Sequence, residues 1–233
     1  MVLPGTLPPA PVPGAPHERR SERHTWQLGL VGTAGVVVVL VILVRGVLGF
    51  AGGGSYQFLA SDGADPVTWN HCKAIRFQVN PKGAPVDWRE IVDDAVDDIE
   101  EASGFVFKDV GTTTKTQLIG QRYDGNEWEP VLIMWSDRYQ TGLLDGSVVG
   151  RGGSAPIEVN GRLRYVIGQI WVDSTVEDRR AAQLILEHEL GHVLGLDHSD
   201  DSDELMYAGY HGQPGLGKGD IRGLQRLHDV PCD

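Results

Sequence analysis

The sequence predicts an α+β domain preceded by one N-terminal transmembrane helix. Three observations point there: short runs with the two-residue alternation of half-buried strands, two capped segments with helical spacing, and an unbroken apolar run near the N-terminus. With 233 residues, 41% of them hydrophobic, the chain can bury one good core and carry a terminal extension.

Residues 1–26 read as a disordered, Pro-rich cytoplasmic tail, since Pro4, Pro8, Pro9, Pro11, Pro13 and Pro16 crowd a stretch with almost nothing to bury. Within 27–50, the run from Leu28 to Val44 is uncharged and contains VVVVLVILV, and its 17 residues meet the lower limit for a membrane span. Arg19, Arg20 and Arg23 precede the run and Arg45 follows it. The positive-inside rule therefore puts the N-terminus in the cytoplasm and everything after Phe50 outside, as a single-pass membrane protein. Cleavage near Ala51, where Gly49 and Ala51 are small, would make the product secreted instead. Residues 51–71, beginning with Gly52 to Ser55, read as a linker.

The formal charge is −12, and because residues 1–50 carry +2, the remainder carries −14. Such acidity disfavours nucleic acid as a partner. Cys72 and Cys232 are the only cysteines and can form one terminal clasp in an oxidising compartment; the other reading is two free thiols.

The domain expected over 72–233 opens with a strand, Ala74 to Asn80, alternating Ile75, Phe77 and Val79 with Arg76 and Gln78. Asp87 and Glu90 form a capping-box pattern, after which Ile91, Ala95, Ile99 and Ala102 share a helical face until Gly104. The acids Asp93, Asp94, Asp97, Asp98, Glu100 and Glu101 then lie along the solvated side rather than in a calcium loop. Phe105 to Val110, Val131 to Trp135 and Val166 to Val172 are further strands, with a polar loop around Asp124, Gly125 and Asn126. Gly146 to Ser154, containing SVVGRGG, reads either as an edge strand open to a peptide or as a surface loop.

A second capping-box pattern, Ser174 with Glu177, starts a helix over Val176 to Leu194 that carries HELGH. His188 and His192 are four residues apart, so one helical turn brings their imidazoles to one face at a spacing that suits zinc. Glu189 sits beside them, poised to take a proton from a water on the metal. Gly195 permits the left-handed turn that ends the helix, and His198 can then supply a third nitrogen. Three protein ligands leave a fourth position for water and substrate, the arrangement of a catalytic site. That pattern arises by accident on the order of once in ten thousand chains of this composition.

The segment HELGHVLGLDH, residues 188–198, resembles the HExxHxxGxxH signature of metzincin proteases. Ser199 and the segment SDELMY, which places Met206 eight residues after His198, resemble the matrixin branch and its Met-turn. The resemblance spans about 72–230, and its distinctive motifs lie between 187 and 207. It implies a metzincin fold, with a mixed, twisted β-sheet crossed by the active-site helix. It also implies one catalytic zinc, Glu189 as general base, and a substrate strand antiparallel to an edge within Ser147–Gly153. Val149 and Gly150 are the substrate-binding residues expected there, and Tyr210 is expected at the pocket. His211 to Gly219 would continue the pocket wall and Asp220 to Leu227 would form a final helix.

Some features depart from the pattern. There is no PRCGxPD segment, and Ala208 stands where astacin-like enzymes place a tyrosine after the turn methionine. His71, His211 and His228 are too scattered in sequence to suggest a structural zinc site, and no loop supports calcium. The expected activity is zinc-dependent endopeptidase cleavage of proteins or peptides outside the cytoplasm. The alternative is a membrane-anchored protein that holds peptides on the same fold without cutting them.

Overall fold

A computed structural model of the protein describes residues 54–117, 127–137, 142, 144 and 148–232. The chain groups into two units, 1–47 and 48–233, and all described residues belong to the second. The expected tail, the apolar run Leu28 to Val44 and the loop around Asp124 lie outside the described residues. Among the described residues no helix is long and apolar enough to cross a membrane.

The elements in chain order are β1 (Gln57–Phe58), β2 (Ser61–Asp62), β3 (Asp65–Pro66), β4 (Ile75–Asn80), α1 (Trp88–Ser103), β5 (Phe107–Thr112), β6 (Val131–Ser136), β7 (Gly150–Val159), β8 (Arg162–Asp173), α2 (Arg179–Leu194), β9 (Leu196–Asp197) and α3 (Lys218–His228). Five strands form one mixed sheet in the order β5-β4-β6-β8-β7. β7 alone runs antiparallel to its neighbour. Phe77, Ile133 and Ile170 from the sheet pack with Ile99 of α1 and Leu190 of α2 in the main core. The opposite face of β6 buries Leu132 and Met134 with Leu144 and Trp171. Cores on both faces explain why VLIMWS is an unbroken apolar run while β4 alternates.

Two boundaries differ from expectation, and a third stands where expected without its cap bond, each for a local reason. Asp87 does stand at the N-cap of α1 but makes no side-chain cap bond; Glu90 instead pairs with Arg179 of α2 at 2.7 Å. The second helix begins at Arg179 because Asp178 is extended and accepts from the Ala181 amide at 2.7 Å. Ser174 cannot cap it, since the preceding Asp173 takes the Thr175 amide and hydroxyl and holds that stretch in a turn. β5 starts at Phe107 rather than Phe105, whose amide is held by the Ser103 hydroxyl after the Gly104 cap.

The acidic side of α1 is less uniformly solvated than its spacing suggests. Asp94 pairs with Arg179, and Asp98 accepts from Gln183, so these acids join α1 to α2. Asp98 also bonds the carboxyl of Glu187, which burial and that contact raise to about 8. Glu100 accepts from the Phe107 amide at 2.5 Å.

The linker expected over 51–71 is, in its described part, woven into the domain. Val67 and Trp69 are buried, and the Trp69 indole donates to the Val193 carbonyl at 2.8 Å. β1 pairs antiparallel with β9. The Gly/Ser opening at 52–55 gives no sign of this, because the apolar residues that dock come after it. At the other end, Cys72 and Cys232 form a disulfide across 160 residues. A loop of that length lowers the entropy of the unfolded chain by an amount worth about 5 kcal/mol in the chain-entropy model.

Candidate metal centre

Helix α2 ends where Gly195 adopts φ 125°, and a side chain there would meet the Val67 carbonyl and the Tyr165 ring. The chain then turns into β9, which β1 holds in place, with the Leu59 amide donating to the Gly195 carbonyl at 2.9 Å. Past β9, Ser199 is buried and its hydroxyl donates to the Ser55 carbonyl at 3.0 Å. Gln57 donates to Asp200 at 2.9 Å. Residues 55–59 thus clamp the segment that carries His198.

The structure brings His188, His192 and His198 together, with their ligand atoms all within 4.8 Å of one another. His188 Nδ1–H donates to the Leu205 carbonyl at 2.7 Å, and His192 Nδ1–H donates to the Leu196 carbonyl at 2.8 Å. Each bond fixes the tautomer and leaves Nε2 with a free lone pair. Burial, followed by the proximity of His192, pushes His188 down to about 4; burial also lowers His192. Both rings are therefore neutral at pH 7, as a metal requires. His192 Nε2 and His198 Nε2 lie 3.3 Å apart. Two nitrogens on a tetrahedral zinc, with bonds of about 2.0–2.1 Å, stand about 3.3 Å apart, so the donor set fits zinc. Among the described residues neither candidate metal group contains a carboxylate, which leaves calcium without support.

Met206 is buried beneath the site, and a side chain at Gly191 would meet its sulfur at 2.5 Å. Glycine in HELGH is thus the space into which the methionine packs. Two acids hold the turn. Asp220, fully buried, accepts from the amides of Leu205 at 2.6 Å, Gly217 at 2.9 Å and Met206 at 3.3 Å. Glu204, also buried, accepts from the Gly219 and Asp220 amides, both at 2.9 Å, at the start of α3. An acid three residues after Gly217 was the available sequence signal, hidden because glycine offers no cap of its own.

Glu189 lines a cleft of 680 Å³ together with His188, His192, His198, Val149, Gly150 and Tyr210. Burial raises its carboxyl to about 8, opposed by the Gly152 amide and by Arg151. A side chain at Gly150 would strike the Glu189 carboxylate at 2.5 Å, and one at Gly152 would strike the Glu189 backbone at 2.6 Å. The glycines of SVVGRGG therefore let β7 lie directly on Glu189. The stretch is an edge strand over Gly150–Val159, longer than expected. Tyr210 is 73% exposed on the rim of the cleft. Tyr207 and Gln213 line the cleft too, and Gln213 ties down the segment before it by donating to the Ser202 and Gly209 carbonyls. His71 and His228, expected to be scattered, stack at 4.2 Å away from this cleft. His211 instead packs edge-on to Tyr207.

Three clustered imidazoles on the HExxHxxGxxH framework, with a carboxyl beside them in an open cleft, define a metzincin-type zinc metallopeptidase. The family model described as matrixin, peptidase family M10, matches residues 68–229, and the chain belongs to that family. Among solved structures, archaemetzincin from Methanopyrus kandleri is 19% identical with a TM-score of 0.47, covering 66% of this chain and 96% of its own.

The Asp220 carboxyl lends itself to a pH test. Burial outweighs its amide bonds and raises it to about 6. A folded-state value above the unfolded one means that stability from this group is complete below about pH 4 and is lost as pH rises through about 6. The stability advantage of wild type over Asp220→Asn, from denaturant midpoints, should therefore shrink from pH 4 to pH 7. An advantage that grows over that range would show the amide bonds to be the larger effect.

Proposed function

We propose that this chain is an endopeptidase that cuts proteins or peptides outside the cytoplasm, with Glu189 as its general base. The observation that carries the reading is a buried carboxyl opening onto the cleft beside three clustered imidazoles, under the edge of β7. Zinc held by His188, His192 and His198 supplies, when bound, a Lewis acid that polarises a carbonyl and makes water more acidic.

The remaining work falls to the chain's own side chains and backbone. Glu189 accepts a proton from the attacking water and passes it to the departing amine. A carboxyl raised toward neutrality by burial suits both transfers, since it takes and returns a proton near the working pH. The Gly152 amide keeps the carboxylate aimed at the cleft. β7 has no second strand partner among the described residues, and an extended substrate can add to that edge at Val149 and Gly150. Leu184, Ile185 and Leu205 give the cleft an apolar wall, and Tyr210 at its rim can close over a substrate side chain.

Replacing Glu189 by Gln in the full chain should leave zinc content unchanged and lower turnover of a diverse peptide library by about 10²–10⁴-fold. Retained chelator-sensitive cleavage by Glu189→Gln would contradict the assignment of the base. Zinc bound by the wild-type chain with no cleavage would favour a peptide-holding role.

The placement outside the cytoplasm is supported by the arginines flanking the apolar run and by the disulfide, which persists in oxidising compartments. A membrane-impermeant protease added to intact expressing cells should digest the domain. Full protection until the membrane is broken would place it on the cytoplasmic side.

A further inference from the structure

A second group of metal-ligating side chains lies away from the cleft, at the clasp. His71 Nε2 stands 3.2 Å from Cys232 Sγ, and the ligand atoms of His71, Cys72 and Cys232 all lie within 4.8 Å of one another. A nitrogen and a sulfur on one tetrahedral zinc, at about 2.0–2.1 and 2.3 Å from the metal, stand about 3.5 Å apart. Two features show that the His71 ring is held for this contact. His228 stacks on it at 4.2 Å and Phe105 meets it edge-on at 6.5 Å. Its Nδ1 is buried with no hydrogen-bond partner, so Nε2 is the atom through which the ring makes its polar contact. Arg164 donates to the Pro231 carbonyl at 2.6 Å, next to Cys232, where its charge favours thiolate over thiol.

We propose that, once the Cys72–Cys232 bond is reduced, the two sulfurs and His71 Nε2 form a second site for zinc or a similar borderline-soft divalent cation. A dithiol supplies the two electrons and two protons: the Cys72–Cys232 bond breaks, two thiols form and the dithiol becomes a disulfide. Metal binding then releases the two thiol protons to solvent, and a water completes the fourth position. Either state ties together residues 160 apart. The domain keeps its terminal clasp in oxidising surroundings through a covalent bond and in reducing surroundings through a metal. This site is independent of the catalytic reading, because it shares no residue with the cleft.

The test uses the full chain, stripped of metal and titrated with Co2+ alone under argon, before and after reduction by a dithiol that is then removed. The oxidised chain should take up one equivalent with no thiolate-to-cobalt charge-transfer absorption. The reduced chain should take up two, with that absorption appearing in the near ultraviolet. His71→Ala should weaken the second equivalent by about tenfold or more, and Cys72→Ser should abolish the band. A double variant, His192→Ala with His198→Ala, should lose the first equivalent and keep the band. One equivalent after reduction, or a band that His71→Ala leaves unchanged, would overturn the proposal, the latter because cysteines in a loosened chain would then suffice.

Discussion

Two backbone carbonyls, those of Leu205 and Leu196, decide where this protein can hold a metal. Each accepts Nδ1–H from one histidine of α2, and in doing so turns both Nε2 atoms toward the same point. Neither carbonyl belongs to the helix that carries the imidazoles. Leu196 is presented by the turn at Gly195, and Leu205 by the turn that buries Met206. The surrounding architecture can be read as the means of keeping those carbonyls in place: β1 bracing β9, Ser55 locked to Ser199, and Asp220 and Glu204 pinning the methionine turn to the start of α3. Helix geometry alone brings two rings to one face. The tautomers and the third ligand come from tertiary contacts.

The same enclosure sets the electrostatics. Rings packed this deeply lose the stabilisation that water gives a cation, so they stay neutral and available to a metal. Burial acts on Glu189 in the opposite sense for charge, raising the proton affinity of the carboxyl proposed as the general base. The enclosure is achieved on one side by β7, and glycine at 150 and 152 is what allows that strand to come so close. A cleft with a buried carboxyl and an open strand edge follows from this close packing.

Much of this was legible in the sequence because it rests on local spacing. HELGH on a helix, Gly195 as its stop and His198 three residues later are covalent facts about a short segment, and four strands of the main sheet show in alternation or apolar runs, whereas the Gly-rich β7 reads equally as a loop. What was not legible depends on contacts between distant segments. Residues 55–69 look like a linker because their few apolar side chains find partners more than 100 residues away, Trp69 on Val193 and β1 on β9. Ser174 carried a capping pattern, yet Asp173 pre-empted it. Little in the sequence separates Asp220 and Glu204 from the other acids among 32, and only the folded chain shows that they accept five backbone amides. His71 and His228 are far apart in sequence, and only the fold, with its Cys72–Cys232 clasp, stacks them together.

The central claim is that His188, His192 and His198 together bind one zinc through nitrogen. X-ray absorption at the zinc edge of the full oxidised chain, loaded with one equivalent, measures this directly. The account predicts a shell of three imidazole nitrogens at about 2.0–2.1 Å with one further oxygen and no sulfur. A shell with two or fewer imidazoles, or with sulfur at about 2.3 Å, would contradict it.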